Sequence, residues 1–149
     1  METNPVHGRG RVAIIEYDVP LREAVVLFLR VKGWSVDSFG SGEESAGVVN
    51  WGEYAVVVCD FSLPREDGLS VLRRVREASD KVVTVLITTY PGGDLSAQAE
   101  SAGVDRVLFK PFSTMELVES LGALSGNKSS GSSGGSSARG RTASVGTTC

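Results

Sequence analysis

Histidine and cysteine are nearly absent from this chain of 149 residues. His7 is the one histidine, which excludes a zinc site built on several histidines. Cys59 and Cys149 are too few for a disulfide framework and lack the spacing of a metal motif. No apolar run approaches the roughly 18 residues that cross a bilayer. The first residues, METNPVHGRGR, contain no apolar stretch, so we expect no secretory signal, no membrane contact and a cytoplasmic location.

Positive charge is also scarce. The chain has 15 basic and 18 acidic residues, a net charge of −3. Three of the basic residues lie in residues 125–149, so the rest of the chain has 12 basic and 18 acidic residues, a charge of −6. An acidic surface does not attract a polyanion, and we therefore expect no nucleic-acid partner. We interpret the neighbouring Arg73, Arg74 and Arg76 as a solvated helix face.

The length fits one domain, and composition marks its two ends. Residues 125–149 are mostly Ser, Gly and Thr, and we expect a disordered tail because such a segment has little apolar surface to bury. Residues 1–10 are expected to form a disordered leader. The folded domain is therefore predicted over residues 11–124.

Five short runs rich in β-branched residues alternate with five stretches of helical period. The predicted strands are residues 12–16, 35–39, 54–60, 82–87 and 106–109, and the predicted helices are residues 20–31, 41–50, 68–78, 94–102 and 113–124. Four strands are almost continuously apolar, which is typical of parallel strands covered on both faces. The run at 35–39 alternates and is expected at an edge. The βα alternation predicts an α/β fold, a doubly wound sandwich.

Polar side chains occur where the central strands end. The first predicted strand ends at Glu16 and the third at Asp60, while Thr88 and Lys110 follow the fourth and fifth. Ligands of an open parallel sheet bind beyond these carboxyl ends. Carboxylates bind Mg²⁺, a lysine neutralises phosphoryl oxygens, and a remaining carboxylate can attack phosphorus. The pattern therefore predicts a site that handles a phosphoryl group with a hard metal ion.

Four segments carry a resemblance to a known family: IIEYDVPLR, VVVCDFSLPREDGL, LITTY and LFKPF. In order and spacing they resemble the CheY-like receiver domain of two-component response regulators, over about residues 11–124. The resemblance implies a flavodoxin-like three-layer sandwich with a five-stranded parallel sheet in the order 2-1-3-4-5. It also implies a signalling domain rather than an enzyme, with a sensor histidine kinase and a downstream effector protein as partners, acting as a monomer or weak homodimer.

The same resemblance assigns roles to individual residues. Asp60 corresponds to the nucleophile that accepts the phosphoryl group, Thr88 to the hydroxyl that follows this group, and Lys110 to the lysine of the family pattern. Mg²⁺ is the implied cofactor, and its implied ligands are Glu16, Asp60 and the carbonyl of Ser62.

Three positions depart from the family pattern. Tyr17 stands where a second acid, a direct Mg²⁺ ligand, is expected, and a neutral phenol replaces a carboxylate poorly, so we expect weaker metal binding. Asp18 is the neighbouring carboxylate that could compensate. Val107 occupies the position of an aromatic switch residue, and a valine has few rotamers and no ring to reposition. Thr89 is bulkier than the small residue expected there and narrows the access to the site.

These departures leave a second function open, a degenerate receiver that binds a partner without phosphorylation. Two other α/β classes fit less well. A flavodoxin needs a Ser/Thr-rich phosphate loop after the first strand, where this chain has EYDVP, and a dehalogenase-type phosphatase needs its nucleophile at the end of that strand. The chain has neither GxGxxG nor GxxxxGK[ST], so no nucleotide site is expected.

Overall fold

The computed structural model describes residues 8–48, 50–89 and 93–127. The predictions for His7, for Cys149, for most of the leader and for residues 128–149 of the tail lie outside these residues. None of the helices in the described ranges is long and apolar enough to span a membrane.

Along the described residues, five strands alternate with five α-helices. The strands are β1 (Arg11–Ile15), β2 (Ser35–Phe39), β3 (Val56–Asp60), β4 (Val83–Thr88) and β5 (Arg106–Phe109). The helices are α1 (Val19–Val31), α2 (Gly42–Ser45), α3 (Gly68–Ala78), α4 (Gly93–Ser101) and α5 (Thr114–Asn127), and a 3₁₀ turn at Trp51–Glu53 precedes β3.

The strands form one parallel sheet in the order β2-β1-β3-β4-β5. This order confirms the predicted α/β fold and the arrangement 2-1-3-4-5. β2 lies at the edge of the sheet, as predicted, and only Val36 is buried in it, without a strict alternation, whereas every residue of β3 and β4 is buried. The strand order reverses between β1 and β3, and ligands of such sheets bind at the carboxyl ends beside this point.

Two apolar layers cover the two faces of the sheet. Val12 and Ile14 of β1 face the layer formed with α1 and α5, whereas Ala13 and Ile15 face the layer formed with α3 and α4. This alternation is the pleat of a strand, whose successive side chains point to opposite faces. The result is the predicted three-layer sandwich.

Two helices differ in length from their predictions by more than one residue. The helix predicted at 41–50 ends at Ser45, because Gly42 and Gly47 are poor helix formers and the chain turns through Gly47. The Asn50 side chain then accepts from the main-chain N–H of Gly52 at 3.0 Å and begins the 3₁₀ turn. Helix α5 continues to Asn127, three residues beyond its predicted end at Leu124.

Arg76 does not belong to the solvated face predicted for the arginines of α3. Its guanidinium lies 2.8 Å from the carboxylate of Asp105 and donates to the carbonyl of Gly103 at 3.0 Å and to the hydroxyl of Thr84 at 3.2 Å. The side chain is 19% exposed and ties α3 to β4 and to the turn before β5. The other two arginines are exposed, as predicted.

Candidate functional site

Four side chains singled out in the sequence lie at one edge of the sheet. Glu16 directly follows β1, Asp60 ends β3, Thr88 ends β4, and Lys110 directly follows β5. Backbone pairing keeps these strand ends side by side, and the N–H of Lys110 donates to the carbonyl of Thr88 at 2.8 Å. The parallel sheet thus brings together residues that are far apart in the chain.

Lys110 lies between two buried carboxylates. Its Nζ is 3.4 Å from Asp60 Oδ2, 3.3 Å from Glu16 Oε1 and 3.4 Å from Glu16 Oε2. Glu16 is 2% exposed and Asp60 is 5% exposed. One ammonium group therefore faces two carboxylates in a poorly solvated place, so the cluster attracts a further cation or a proton.

The pKa of Glu16 is raised from 4.5 to about 7. Burial is the main cause because it removes water from the charged form, and the nearby Asp60 carboxylate raises the pKa further. The main-chain N–H of Asp18, 3.1 Å from Glu16 Oε2, and the charge of Lys110 act in the opposite direction. Among the described residues, Glu16 Oε1 has no hydrogen-bond partner, although Lys110 lies at ion-pair distance.

This raised pKa predicts a pH dependence of stability in metal-free buffer. The folded state binds the Glu16 proton more tightly than the unfolded state, so stability is lost as pH rises from about 4.5 to about 7. We expect the free energy of unfolding of the wild type to fall relative to that of a Glu16→Gln variant over this window. Denaturant titrations between about pH 5 and about pH 8 measure the difference, and a constant difference would contradict the prediction.

The cluster fits a magnesium ion in its donor chemistry. Mg²⁺ is usually held by one or two carboxylates and keeps several waters, and Glu16 and Asp60 supply two carboxylates. The N–H of Ser62 donates to Asp60 Oδ1 at 3.3 Å, so the main chain of Ser62 lies beside Asp60. Throughout the described ranges, no group of three or more His, Cys, Asp or Glu side chains could hold a metal ion. The site is therefore poor in carboxylates, with an unsatisfied oxygen at Glu16.

The side chains of Tyr17 and Asp18 explain why the site has only two carboxylates. Tyr17, at the position expected to carry an acid, is 62% exposed. The Asp18 side chain caps α1 by accepting from the N–H of Leu21 at 3.4 Å. Its carboxylate therefore serves the start of the helix, and it does not take the place of the missing acid.

Arg22 also belongs to the site, although it is not among the residues predicted from the sequence. Its Nη1 donates to the main-chain carbonyl of Glu16 at 2.7 Å and so ties α1 to the loop that carries Glu16. The guanidinium passes over Gly40, where a Cβ would lie 2.9 Å from Nη1. The only signal in the sequence is the arginine of the IIEYDVPLR segment, and its spacing does not reveal this contact.

Gly68 begins α3 directly against Asp60. A Cβ at this position would lie 2.9 Å from the carbonyl carbon of Asp60 and closer still to its oxygen. The N–H of Gly68 also donates to the carbonyl of Phe61 at 2.8 Å. The absence of a side chain at Gly68 therefore lets α3 pack against the strand end that carries Asp60.

We expect a Gly68→Ala substitution to lower the free energy of unfolding by about 1–3 kcal/mol, because backbone atoms block the new methyl group. Gly42→Ala is the matched control. Its Cβ would meet the flexible end of the Glu66 side chain, which can move, so we expect a change within about 1 kcal/mol. Denaturant unfolding of both variants measures the difference, and equal stabilities would contradict it.

Val107 and Thr89 are the other two positions that depart from the family pattern. Val107 is half-buried and packs against the layer that α3 and α4 cover, which suits a fixed side chain better than a mobile one. Thr89 follows β4 and is exposed.

Comparison with known proteins identifies the family. The family model of the response regulator receiver domain matches residues 12–122. The chain belongs to this family. It is a receiver domain of the two-component response regulators, a family of signalling domains that take their signal from histidine kinases.

The relatives of this receiver domain include longer regulators. The transcriptional regulatory protein DltR of Streptococcus agalactiae is 32% identical over 108 residues, which cover 72% of this chain and 48% of that protein. The transcriptional regulatory protein TrcR of Mycobacterium tuberculosis is 32% identical over 114 residues, which cover 76% of this chain and 44% of that protein. The receiver domain thus spans about half the length of these curated relatives.

Solved structures share the fold. A CheY-like receiver domain protein from Methanospirillum hungatei superposes with a TM-score of 0.76 at 18% identity, covering 81% of this chain and 97% of that one. The response regulator TrrA of Thermotoga maritima, solved in complex with Mg²⁺-BeF, has a TM-score of 0.69 at 26% identity, covering 77% of this chain and 98% of that one.

Proposed function

We propose that this receiver domain accepts a phosphoryl group on Asp60 from a sensor histidine kinase and signals this state to a partner protein. The supporting observation is the ion pair of 3.4 Å between Lys110 Nζ and Asp60 Oδ2, inside a buried acidic cluster at the carboxyl ends of the strands. A receiver of this design needs a nucleophilic carboxylate and a cation that neutralises the incoming group, and both meet here.

The transfer forms one bond and breaks one. An oxygen of the Asp60 carboxylate bonds to phosphorus while the bond between phosphorus and the donor imidazole breaks, and its electron pair leaves with the imidazole nitrogen. The Lys110 ammonium neutralises a phosphoryl oxygen, and the Thr88 hydroxyl donates to another. Asp60 is buried, so the surrounding water competes little with these interactions.

Glu16, Asp60 and the Ser62 carbonyl are the residues that would hold Mg²⁺. When bound, the ion neutralises charge on the phosphoryl oxygens. The support for this role comes from the buried Glu16 Oε1, which has no hydrogen-bond partner among the described residues and is a carboxylate oxygen of the type that Mg²⁺ prefers.

Acetyl phosphate, a small phosphoryl donor, tests the proposal without knowledge of the kinase. Incubation with Mg²⁺ should add one phosphoryl group per chain in an intact-mass spectrum, and hydroxylamine should remove it because the adduct is an acyl phosphate. Peptide mapping should place it on Asp60. No adduct at any Mg²⁺ concentration would contradict the proposal.

The degenerate receiver is the second candidate function. Its support is Tyr17, which is 62% exposed at the position of the expected acid, together with the packed Val107 at the position of the switch residue. A receiver of this kind would bind its partner equally well before and after treatment with acetyl phosphate.

Both proposals concern the receiver domain alone. With a charge of −6 outside residues 125–149, a protein partner is favoured over a nucleic acid. The predictions of a cytoplasmic location and of a monomer or weak homodimer stay predictions.

A further inference from the structure

The outer face of α1 carries an apolar stripe formed by Pro20, Ala24, Leu27 and Val31. All four residues are exposed, Leu27 by 65% and Val31 by 74%. The opposite face of the helix packs into the core through Val25 and Leu29. Helix α1 is therefore apolar on its solvent side as well as on its core side, which a surface helix does not need for folding alone.

The spacing of this apolar stripe is that of a contact between two helices. Its residues follow one another at intervals of four, three and four positions, the pattern of alternating a and d positions in a coiled coil. At a rise of about 1.5 Å per residue, the stripe is about 16 Å long, enough for three turns of a partner helix.

The charges beside the stripe favour a second copy of this chain as the partner. Glu23 and Arg30 are both exposed, and each directly precedes a residue of the stripe, so they lie on the same side of it, seven residues apart. In an antiparallel pair of identical helices, Glu23 faces the partner's Arg30 and Arg30 faces the partner's Glu23. In a parallel pair, Glu23 would instead face the partner's apolar Phe28, and Arg30 would have no facing residue because α1 ends at Val31.

The register that forms these ion pairs also matches the sizes of the apolar side chains. It places Ala24 opposite the partner's Leu27 and Pro20 opposite the partner's Val31, a small residue against a larger one in each layer. A single twofold axis relates both ion pairs and both pairs of apolar layers, and twofold symmetry is the commonest symmetry of dimers.

Arg30 is positioned for such a pair. Its Nη2 donates to the carbonyl of Val36 at 2.9 Å, which holds the guanidinium on the β2 side of α1. A guanidinium has five N–H donors, so this single hydrogen bond leaves donors for a carboxylate.

We propose that two copies of this receiver domain associate through their α1 helices, antiparallel and around a twofold axis. The inference goes beyond the phosphoryl-accepting function and does not depend on it. The tail of the chain is a poor occupant of the stripe because, among residues 128–149, the apolar side chains are Ala138, Ala143, Val145 and Cys149. The stripe is short, so the dimer is weak and forms at high protein concentration.

Sedimentation velocity of the full chain tests the association between about 10 μM and about 1 mM protein. We expect the weight-average mass to rise from that of a monomer toward that of a dimer. Leu27→Glu should raise the dissociation constant at least about tenfold, because it places a charge in the apolar seam. Met115→Glu is the matched control, since Met115 is also 65% exposed but lies on α5, and it should leave the association unchanged.

A charge exchange tests the antiparallel register. Glu23→Arg and Arg30→Glu should each weaken the dimer about threefold to tenfold, and the double variant should restore it because both ion pairs reform with reversed sign. The hydrogen bond to Val36 is lost in Arg30→Glu and in the double variant alike, so its loss does not explain a restoration. Should Arg30→Glu fail to fold, Glu23→Arg alone still tests whether Glu23 faces a basic residue of the partner, because it should then weaken the dimer.

Four results would overturn the proposal. The wild type could remain monomeric at about 1 mM, Met115→Glu could dissociate the dimer while Leu27→Glu does not, or the double variant could fail to restore association. If Leu27→Glu left the mass unchanged but blocked phosphotransfer from a kinase, the stripe would serve a helix of the kinase instead.

Discussion

Replacing Asp60 with Asn is expected to abolish labelling by acetyl phosphate, reducing the phosphorylated fraction at least about 100-fold. The amide has nearly the shape of the carboxylate but lacks the anionic oxygen that attacks phosphorus. Asp60 is 5% exposed and paired with Lys110, so no neighbouring group can take its position without a rearrangement of the strand end. Intact-mass spectrometry after incubation with Mg²⁺ and acetyl phosphate measures the effect.

The loss of labelling should occur without a loss of stability. Asp60 and Glu16 compete for the one ammonium group of Lys110, and the Asp60 carboxylate raises the pKa of Glu16. Removal of one negative charge relieves this repulsion, so we expect the Asp60→Asn protein to melt at or above the wild-type temperature near neutral pH. A lower melting temperature would mean that the loss of labelling reports unfolding instead.

Asp67→Asn is the matched control for this experiment. It is the same chemical change seven residues further along, at the end of the loop that follows Asp60, where Asp67 caps α3 by accepting from the N–H of Ser70 at 2.9 Å. Asn caps helices about as well as Asp, so this variant should keep both its stability and its labelling. Equal labelling of the Asp60→Asn protein and the wild type would place the acceptor elsewhere.

The sheet could be predicted because its strands differ in exposure. β3 and β4 are buried on both faces and therefore consist almost entirely of apolar residues, whereas β2 lies at an edge, is mostly exposed or half-buried and mixes polar with apolar residues. The length of α2, by contrast, was predicted wrongly because its pattern of apolar residues and its helix propensity disagree. The sequence there has helical period but also Gly42 and Gly47, and the packing of a single turn does not offset their conformational freedom.

The site could be predicted to the extent that strand ends determine it. Glu16, Asp60 and Lys110 meet because parallel strands place their carboxyl ends at one edge of the sheet. Contacts made by long side chains could not be predicted in the same way. Arg76 contacts Asp105, 29 positions further along the chain, and Arg22 donates to the Glu16 carbonyl. Neither contact produces a periodic pattern of residues from which it could be predicted.

Replacing Tyr17 with Asp is expected to raise the affinity for Mg²⁺ at least about tenfold. Tyr17 directly follows Glu16 in the loop after β1 and is 62% exposed, so its side chain can be exchanged with little effect on packing. The substitution supplies a third carboxylate to a cluster in which Glu16 and Asp60 are the two present. Isothermal titration calorimetry with Mg²⁺ measures the affinity of both proteins.

Two controls separate charge from size at this position. Tyr17→Phe removes the hydroxyl and adds no ligand, so its Mg²⁺ affinity should equal that of the wild type. Tyr17→Asn adds a neutral oxygen of the same reach as the carboxylate and should gain less affinity than Tyr17→Asp, because the cation is held mainly by charge. Equal affinities of the Asp and Asn variants would contradict this explanation.

The effect of Tyr17→Asp on the free energy of unfolding should have opposite signs without and with Mg²⁺. Without metal, a third carboxylate beside the two that share Lys110 adds repulsion, so Tyr17→Asp should lower the free energy of unfolding. With Mg²⁺ at about 100 times the dissociation constant of the Tyr17→Asp protein, binding adds about 2.7 kcal/mol to this variant and about 1.4 kcal/mol to a wild type of tenfold weaker affinity. The variant therefore gains about 1.3 kcal/mol more than the wild type, and the order of the two proteins should reverse. If Tyr17→Asp then accepts the phosphoryl group while the wild type does not, the degenerate receiver is the function of this chain, and its loss of chemistry is due to the single exchange of an acid for a tyrosine.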